Sequence, residues 1–188
     1  AFFIALLVLG CVLPVVQPQD TPAVMIHPRA SEEIILAVAD AQPAPAEKAG
    51  ELSDALKTFN QVLWDDLSFS GFFTLAGKSF YPPTALSRPE DVNYDAWSTL
   101  PFKVSFLTIA TLELRGGLLQ AEVRILDMRQ RSLMFGTHFE GPPDQVRGIA
   151  HRWADEIVYK LSAGASRGIA TTRIACVARK GAAKEIHL

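Results

Sequence analysis

Val104-Ser105-Phe106-Leu107-Thr108-Ile109-Ala110-Thr111-Leu112-Glu113-Leu114-Arg115-Gly116-Gly117-Leu118-Leu119-Gln120-Ala121-Glu122-Val123-Arg124-Ile125 reads as two strands and the turn between them. From Val104 to Leu114 the chain is apolar on both faces, as a central strand must be. Arg115-Gly116-Gly117 supplies the hairpin turn, because paired glycines accept positive φ without strain. Leu119, Ala121, Val123 and Ile125 then alternate with Gln120, Glu122 and Arg124, the period of two of a half-buried strand. Asp127-Met128-Arg129-Gln130-Arg131-Ser132 turns the chain again, and Leu133 to Phe139 makes a third strand. Three strands in a row form a meander.

Outward from the meander the period changes to that of helices. Gly141-Pro142-Pro143-Asp144 breaks the sheet, and Val146, Ile149, Ala150, Trp153, Ile157 and Leu161 then fall on one helical face. Upstream, Leu52, Leu56, Phe59, Leu63 and Leu67 recur at spacings of four, three, four and four, an apolar stripe that Ser70-Gly71 ends. Phe72 to Leu75 resumes extended structure. Ile34 to Ala39 is a short apolar run suited to a buried strand. The segment Ala41 to Ala46, with Pro43 and Pro45, reads as a turn. Residues 78–92 read as a loop, and Asn93 caps a short helix through Trp97. The expected class is α/β: a mixed sheet containing a three-stranded meander, covered by two helices.

Composition narrows the function. The chain has 188 residues, 49% of them apolar, with 18 basic against 20 acidic side chains. That length supports one domain with a real core plus terminal extensions. The near-neutral balance argues against a nucleic-acid partner, which leaves a basic stripe. Arg167, Arg173, Arg179, Lys180 and Lys184 alternate with apolar residues, as on the wet face of a strand. Ala1 to Val16 is almost wholly apolar and breaks into Gln17-Pro18-Gln19-Asp20, the pattern of a secretory leader over residues 1–19. Val8-Leu9-Gly10-Cys11 loosely resembles a lipobox, with a bulky Leu9 where a small residue is usual, so cleavage is favoured over a lipid anchor at Cys11. Cys11 and Cys176 make no disulfide framework, and Cys176 reads as a small core residue.

Candidate sites each have a plain reading beside the chemical one. His151 and Asp155 lie four apart and share a helix face. They form an acid–base pair or, more simply, an i,i+4 surface pair, since no nucleophile motif accompanies them. His27, His138, His151 and His187 share no metal-ligand spacing, and Gly116-Gly117 lacks the following helix of a phosphate cradle. Trp64, Trp97 and Trp153 sit at helical positions and read as core. Asp65 and Asp66 read as solvated charges. No metal or cofactor is expected.

His151 to Leu161, followed by Ser162-Ala163-Gly164-Ala165-Ser166-Arg167-Gly168 and the run from Ile169 to Val177, resembles the helix-to-strand junction closing the N-terminal domain of the TolB family. Leu67-Ser68-Phe69-Ser70-Gly71-Phe72-Phe73, Asp95-Ala96-Trp97 and Leu126-Asp127-Met128 are similar to its helix end, short tryptophan helix and strand-end aspartate. The likeness runs from Ser31 to Leu188. It implies an α/β fold like that of anticodon-binding domains over residues 34–180, and a β-propeller beginning over 181–188. It also implies an extended segment, residues 20–33, that docks onto the inner-membrane protein TolA, and a propeller that binds the lipoprotein Pal. In that segment Val24, Met25 and Ile26 are β-prone enough to add as a strand to a partner's sheet edge. The resulting expectation is a non-enzymatic periplasmic adaptor of the Tol-Pal system. The alternatives are an exported α/β regulatory or sensor domain outside that system, free or lipid-anchored, and, remotely, a small hydrolase using His151 and Asp155.

Overall fold

The computed structural model of the chain describes residues 33–172, 176–180 and 183–187. These lie within one compact unit, Glu32–Leu188. The leader, Cys11 and Val24, Met25 and Ile26 fall outside the described residues.

The expected meander forms one side of the sheet, from its central strand to one edge. Strand β4 (Phe106–Arg115) pairs antiparallel with β5 (Leu118–Asp127), and β5 with β6 (Ser132–Gly141). Arg115 stands opposite Leu118, so Gly116 and Gly117 alone make the turn, at φ of 59° and 80°. Such a two-residue turn needs left-handed backbone at both positions, which glycine supplies at no steric cost. The four-residue turn after β5 is built differently. Asp127 Oδ1 accepts from the amides of Arg129 and Gln130 at 2.8 and 2.7 Å, and Arg131 closes the turn at φ 54°. The β5–β6 register shifts between Ile125 and Leu126, which leaves Met134 as a bulge on the outer strand.

The other strands are short and parallel to β4. Strand β1 (Ile35–Val38) lies between β4 and β3 (Thr74–Leu75), giving the order β3-β1-β4-β5-β6. The segment expected to be only a turn carries a further strand: β2 (Gln42–Pro43) pairs with Thr111 and Leu112 of β4. Pro43 is tolerated because the strand is two residues long and the next amide, Ala44, donates to Leu112 at 2.7 Å. Between β1 and β2 the ladder is broken, and Asn60 Oδ1 accepts from the Ala41 amide there at 2.8 Å.

Two helices cover one face, as expected. Helix α1 (Ala49–Phe69) buries Leu52, Phe59, Val62, Leu63 and Leu67; Leu56 is only half-buried, so the stripe turns slightly from the predicted one. Gly71 at φ 64° stops it. Helix α3 (Val146–Leu161) buries Val146, Ile149, Ala150, Trp153, Ala154, Ile157 and Val158. These side chains meet Ala110, Leu112, Leu119, Ala121, Val123 and Ile125 from the sheet. Each large side chain so removed from water contributes about 1.5–3 kcal/mol.

The opposite face is where sequence reading fell short. Residues 76–104, which include the expected loop over 78–92 and the short helix capped by Asn93, seen as α2 (Tyr94–Ser98), form a second layer. Ala76, Leu86, Val92 and Trp97 are buried there against Ala37, Leu107, Ile109 and Leu126. Asn93 caps α2 as predicted, its Oδ1 accepting from Ala96 at 3.1 Å. Towards the end of the chain, β7 (Cys176–Lys180) and β8 (Ala183–His187) pair antiparallel as a separate two-stranded sheet. Within 181–188, where the resemblance implies the start of a β-propeller, Ala183–His187 forms one strand of this hairpin with β7.

Candidate functional site

The polar side chains near α3 tie elements together. His151, half-buried, donates from Nδ1 to Asp66 Oδ2 of α1 at 2.6 Å. The carboxylate can only accept, so that nitrogen carries the proton. Asp155 turns elsewhere and accepts from the amides of Ala170 and Thr171 at 2.8 and 2.9 Å, and from the Thr171 hydroxyl. The i,i+4 surface pair read from the sequence is thus corrected: both residues face partners on other segments. Spacing within one helix could not reveal these, since Asp66 lies 85 residues away. Asp66 is likewise not a solvated charge, whereas exposed Asp65 accepts from Gln61 at 2.9 Å.

Trp153 is core, with its polar end satisfied. Its indole N–H donates to Thr108 Oγ1 at 3.1 Å, and Thr108 donates in turn to the Arg124 carbonyl at 3.1 Å. Phe135 and Phe139 of β6 flank the indole at ring distances of 6.3 and 6.4 Å. Trp97 is core in the second layer, 5.0 Å from the Tyr81 ring. Trp64 is half-buried, with Lys78 Nζ 5.0 Å above its ring. His138 is exposed on β6 and His187 lies on β8. Among the described residues no three His, Cys, Asp or Glu side chains gather as a metal-binding group. No helix among them is long and apolar enough to cross a membrane.

Among the described residues, three side chains titrate away from their ordinary range. Burial pushes the Tyr81 phenol up to about 12. Its hydroxyl accepts from the Val38 amide at 2.9 Å and donates to the Ala76 carbonyl at 2.8 Å. Burial also raises Tyr94, opposed by the nearby Arg131. Asp91 is lowered, chiefly by the Arg88 amide that donates to it at 2.9 Å.

A cleft missed by sequence reading opens beside the second layer. It has a volume of about 250 Å³ and is lined by Tyr94, Trp97, Phe102 and Met128, with Lys103 and Arg131 among its polar lining. Arg131 Nη2 donates to Asp95 Oδ1 at 2.8 Å. The signal in the sequence was the pair of arginines in the Asp127–Ser132 turn, which was read for its backbone alone.

The mixed sheet, its two covering helices and these internal ties define an α/β scaffold domain whose titratable groups hold segments in place. Among known proteins, such a chain resembles TolB. It is 31% identical over 156 residues to the Tol-Pal system protein TolB of Methylobacillus flagellatus, covering 81% of this chain and 33% of the relative. With TolB of Nitrosospira multiformis it shares 32% over 138 residues, 71% of this chain and 29% of that one. The crystal structure of TolB from Acinetobacter baumannii superposes with a TM-score of 0.53 at 13% identity, over 71% of this chain and 29% of that chain, a likeness of fold. No family model matches. The chain spans about a third of the length of the curated relatives it matches. These findings support a TolB-like protein.

Proposed function

We propose that the chain is a non-enzymatic adaptor module of a Tol-Pal system. It works in the periplasm by protein–protein contact, in outer-membrane integrity, cell division and import of macromolecules. The observation that carries the reading is the similarity to Tol-Pal TolB proteins over four fifths of the chain. A TolB-like fold supports it. So does the engagement of His151 and Asp155 in structural ties. Export follows from the apolar run Ala1 to Val16 and its polar exit.

In this reading, residues 20–33 meet a TolA-like inner-membrane protein, with Val24, Met25 and Ile26 as a short apolar anchor added to the partner's sheet edge. Contact with a Pal-like lipoprotein belongs to a propeller following the domain. Ordering an extended segment costs conformational entropy, so the expected affinity is roughly micromolar. Calorimetry with a TolA C-terminal domain tests the contact. Deleting Asp20 to Arg29 should abolish the heat while the unfolding transition of the core, whose first strand starts at Ile35, stays in place. Equal heats with and without the segment would remove residues 20–33 from the contact.

A further inference from the structure

The cleft beside Trp97 has the features of a recognition site that the scaffold does not need. Its apolar side is preformed: Trp97 is braced by Tyr81, and Phe102 meets Phe80 edge-on at 5.4 Å and 88°. Met128, an adaptable side chain, completes it. The polar side is cationic. Lys103 is exposed and has no ion-pair partner among the described residues, and Arg131, whose backbone φ is 54°, adds a second cation to the lining. No acidic side chain lines the cleft, although acids outnumber bases over the whole chain. A non-glycine residue in the left-handed region is uncommon and costs free energy. The Arg131 guanidinium belongs to the lining, where Asp95 engages one nitrogen and leaves other N–H donors of the fork available.

Size decides between classes of ligand. A cavity of about 250 Å³ lies below the roughly 300–1,000 Å³ typical of small-molecule sites. It suits a single large side chain. An aromatic or aliphatic anchor in a preformed pocket, rimmed by charge, is how proteins capture peptide segments.

We propose that the cleft between α2 and the Asp127–Ser132 turn docks an acidic peptide segment of a partner protein. One apolar or aromatic side chain of that segment enters between Trp97 and Met128, and neighbouring carboxylates lie on Lys103 and Arg131. The surface goes beyond the Tol-Pal role proposed above, which assigns recognition to residues 20–33.

The test uses the full chain, immobilised and offered a library of random twelve-residue peptides on phage. The expected enrichment pairs an aromatic or aliphatic residue with two or more acidic ones. An enriched peptide, synthesised with a fluorophore and followed by anisotropy, should bind at least about tenfold more weakly to the double variant Lys103→Glu, Arg131→Glu, and more weakly as salt rises. Met128→Trp, which fills the cleft without changing charge, should weaken binding by a similar factor. Thermal unfolding establishes that each variant is folded, and Arg131→Lys, which keeps the charge, should retain most of the affinity. No enrichment over the double variant, sequences without acidic residues, or equal binding by wild type and Met128→Trp would each overturn the proposal. The selection contains no Tol protein, so its failure leaves the calorimetric test of the Tol-Pal role untouched.

Discussion

Among the described glycines, Gly168 is the one whose added Cβ would meet its neighbours most closely. Its φ is +78°, and a Cβ there would stand 2.1 Å from Asp155 Oδ1 and 2.8 Å from Asp155 Cα. Asp155 in turn holds Ala170 and Thr171, so one residue without a side chain lets the chain after α3 fold back on the helix. Gly168→Ala is predicted to cost about 2 kcal/mol or more, from left-handed strain and the clash together. In an Asp155→Ala background the same change should cost less, because the clashing carboxylate is gone. Urea unfolding of the four proteins of that cycle measures the difference; identical costs in both backgrounds would refute the contact. Neither the tie nor the clash is legible in sequence, where Gly168 looks like an ordinary helix stop. His151 and Asp66 were hidden for the same reason: the letters report neighbours in the chain, and these partners are brought together only by packing α1 on α3.

Periodicity made the large elements legible. The meander was readable because one face of β5 is dry and the other wet, and the helices because their stripes repeat every three or four residues. β2 was not, since two prolines in and beside it mask a strand only two residues long. The layer 76–104 was not either, because it has no period: its apolar residues are spaced by the path of a loop across the sheet. Tyr81 binds that layer to β1, and it makes the junction sensitive to alkali. With its phenol pushed from 10.0 to about 12, the folded state keeps a proton that the unfolded state gives up sooner. The stabilisation is therefore complete below pH 10 and is lost as pH rises towards about 12. Chemical denaturation between pH 9 and about 12 should show stability falling across that window. Tyr81→Phe should flatten the fall while lowering stability at pH 7 by about 1–3 kcal/mol, since the Val38 amide loses its partner. An unchanged slope in the phenylalanine variant would assign the alkaline loss to other groups.

For the whole molecule, the fold class was the part most fully written in the sequence, and the candidate site the least. Val24, Met25 and Ile26 owe their assignment to resemblance and β propensity, whereas the cleft at Trp97 exists only once a turn, a short helix and a strand entry converge. One feature of the sheet has a mechanical meaning. β1 is hydrogen-bonded on both sides: Thr74 and Ala76 donate to Ile34 and Leu36, Ser105 donates to Ile35, and Ala39 donates to Thr108. If residues 20–33 are pulled by the partner proposed above, traction enters along β1, parallel to both neighbours. Bonds lying across the pull must then give way together, as a seam in shear, whereas a hairpin peeled from its end opens one bond at a time. We predict that single-molecule pulling from the amino-terminal side meets a distinctly higher rupture force than pulling β6 off the opposite edge. Equal forces would mean that the sheet yields elsewhere first. A strand clasped from both flanks is what a tether fixed at one end requires, so the domain would transmit tension without surrendering its fold.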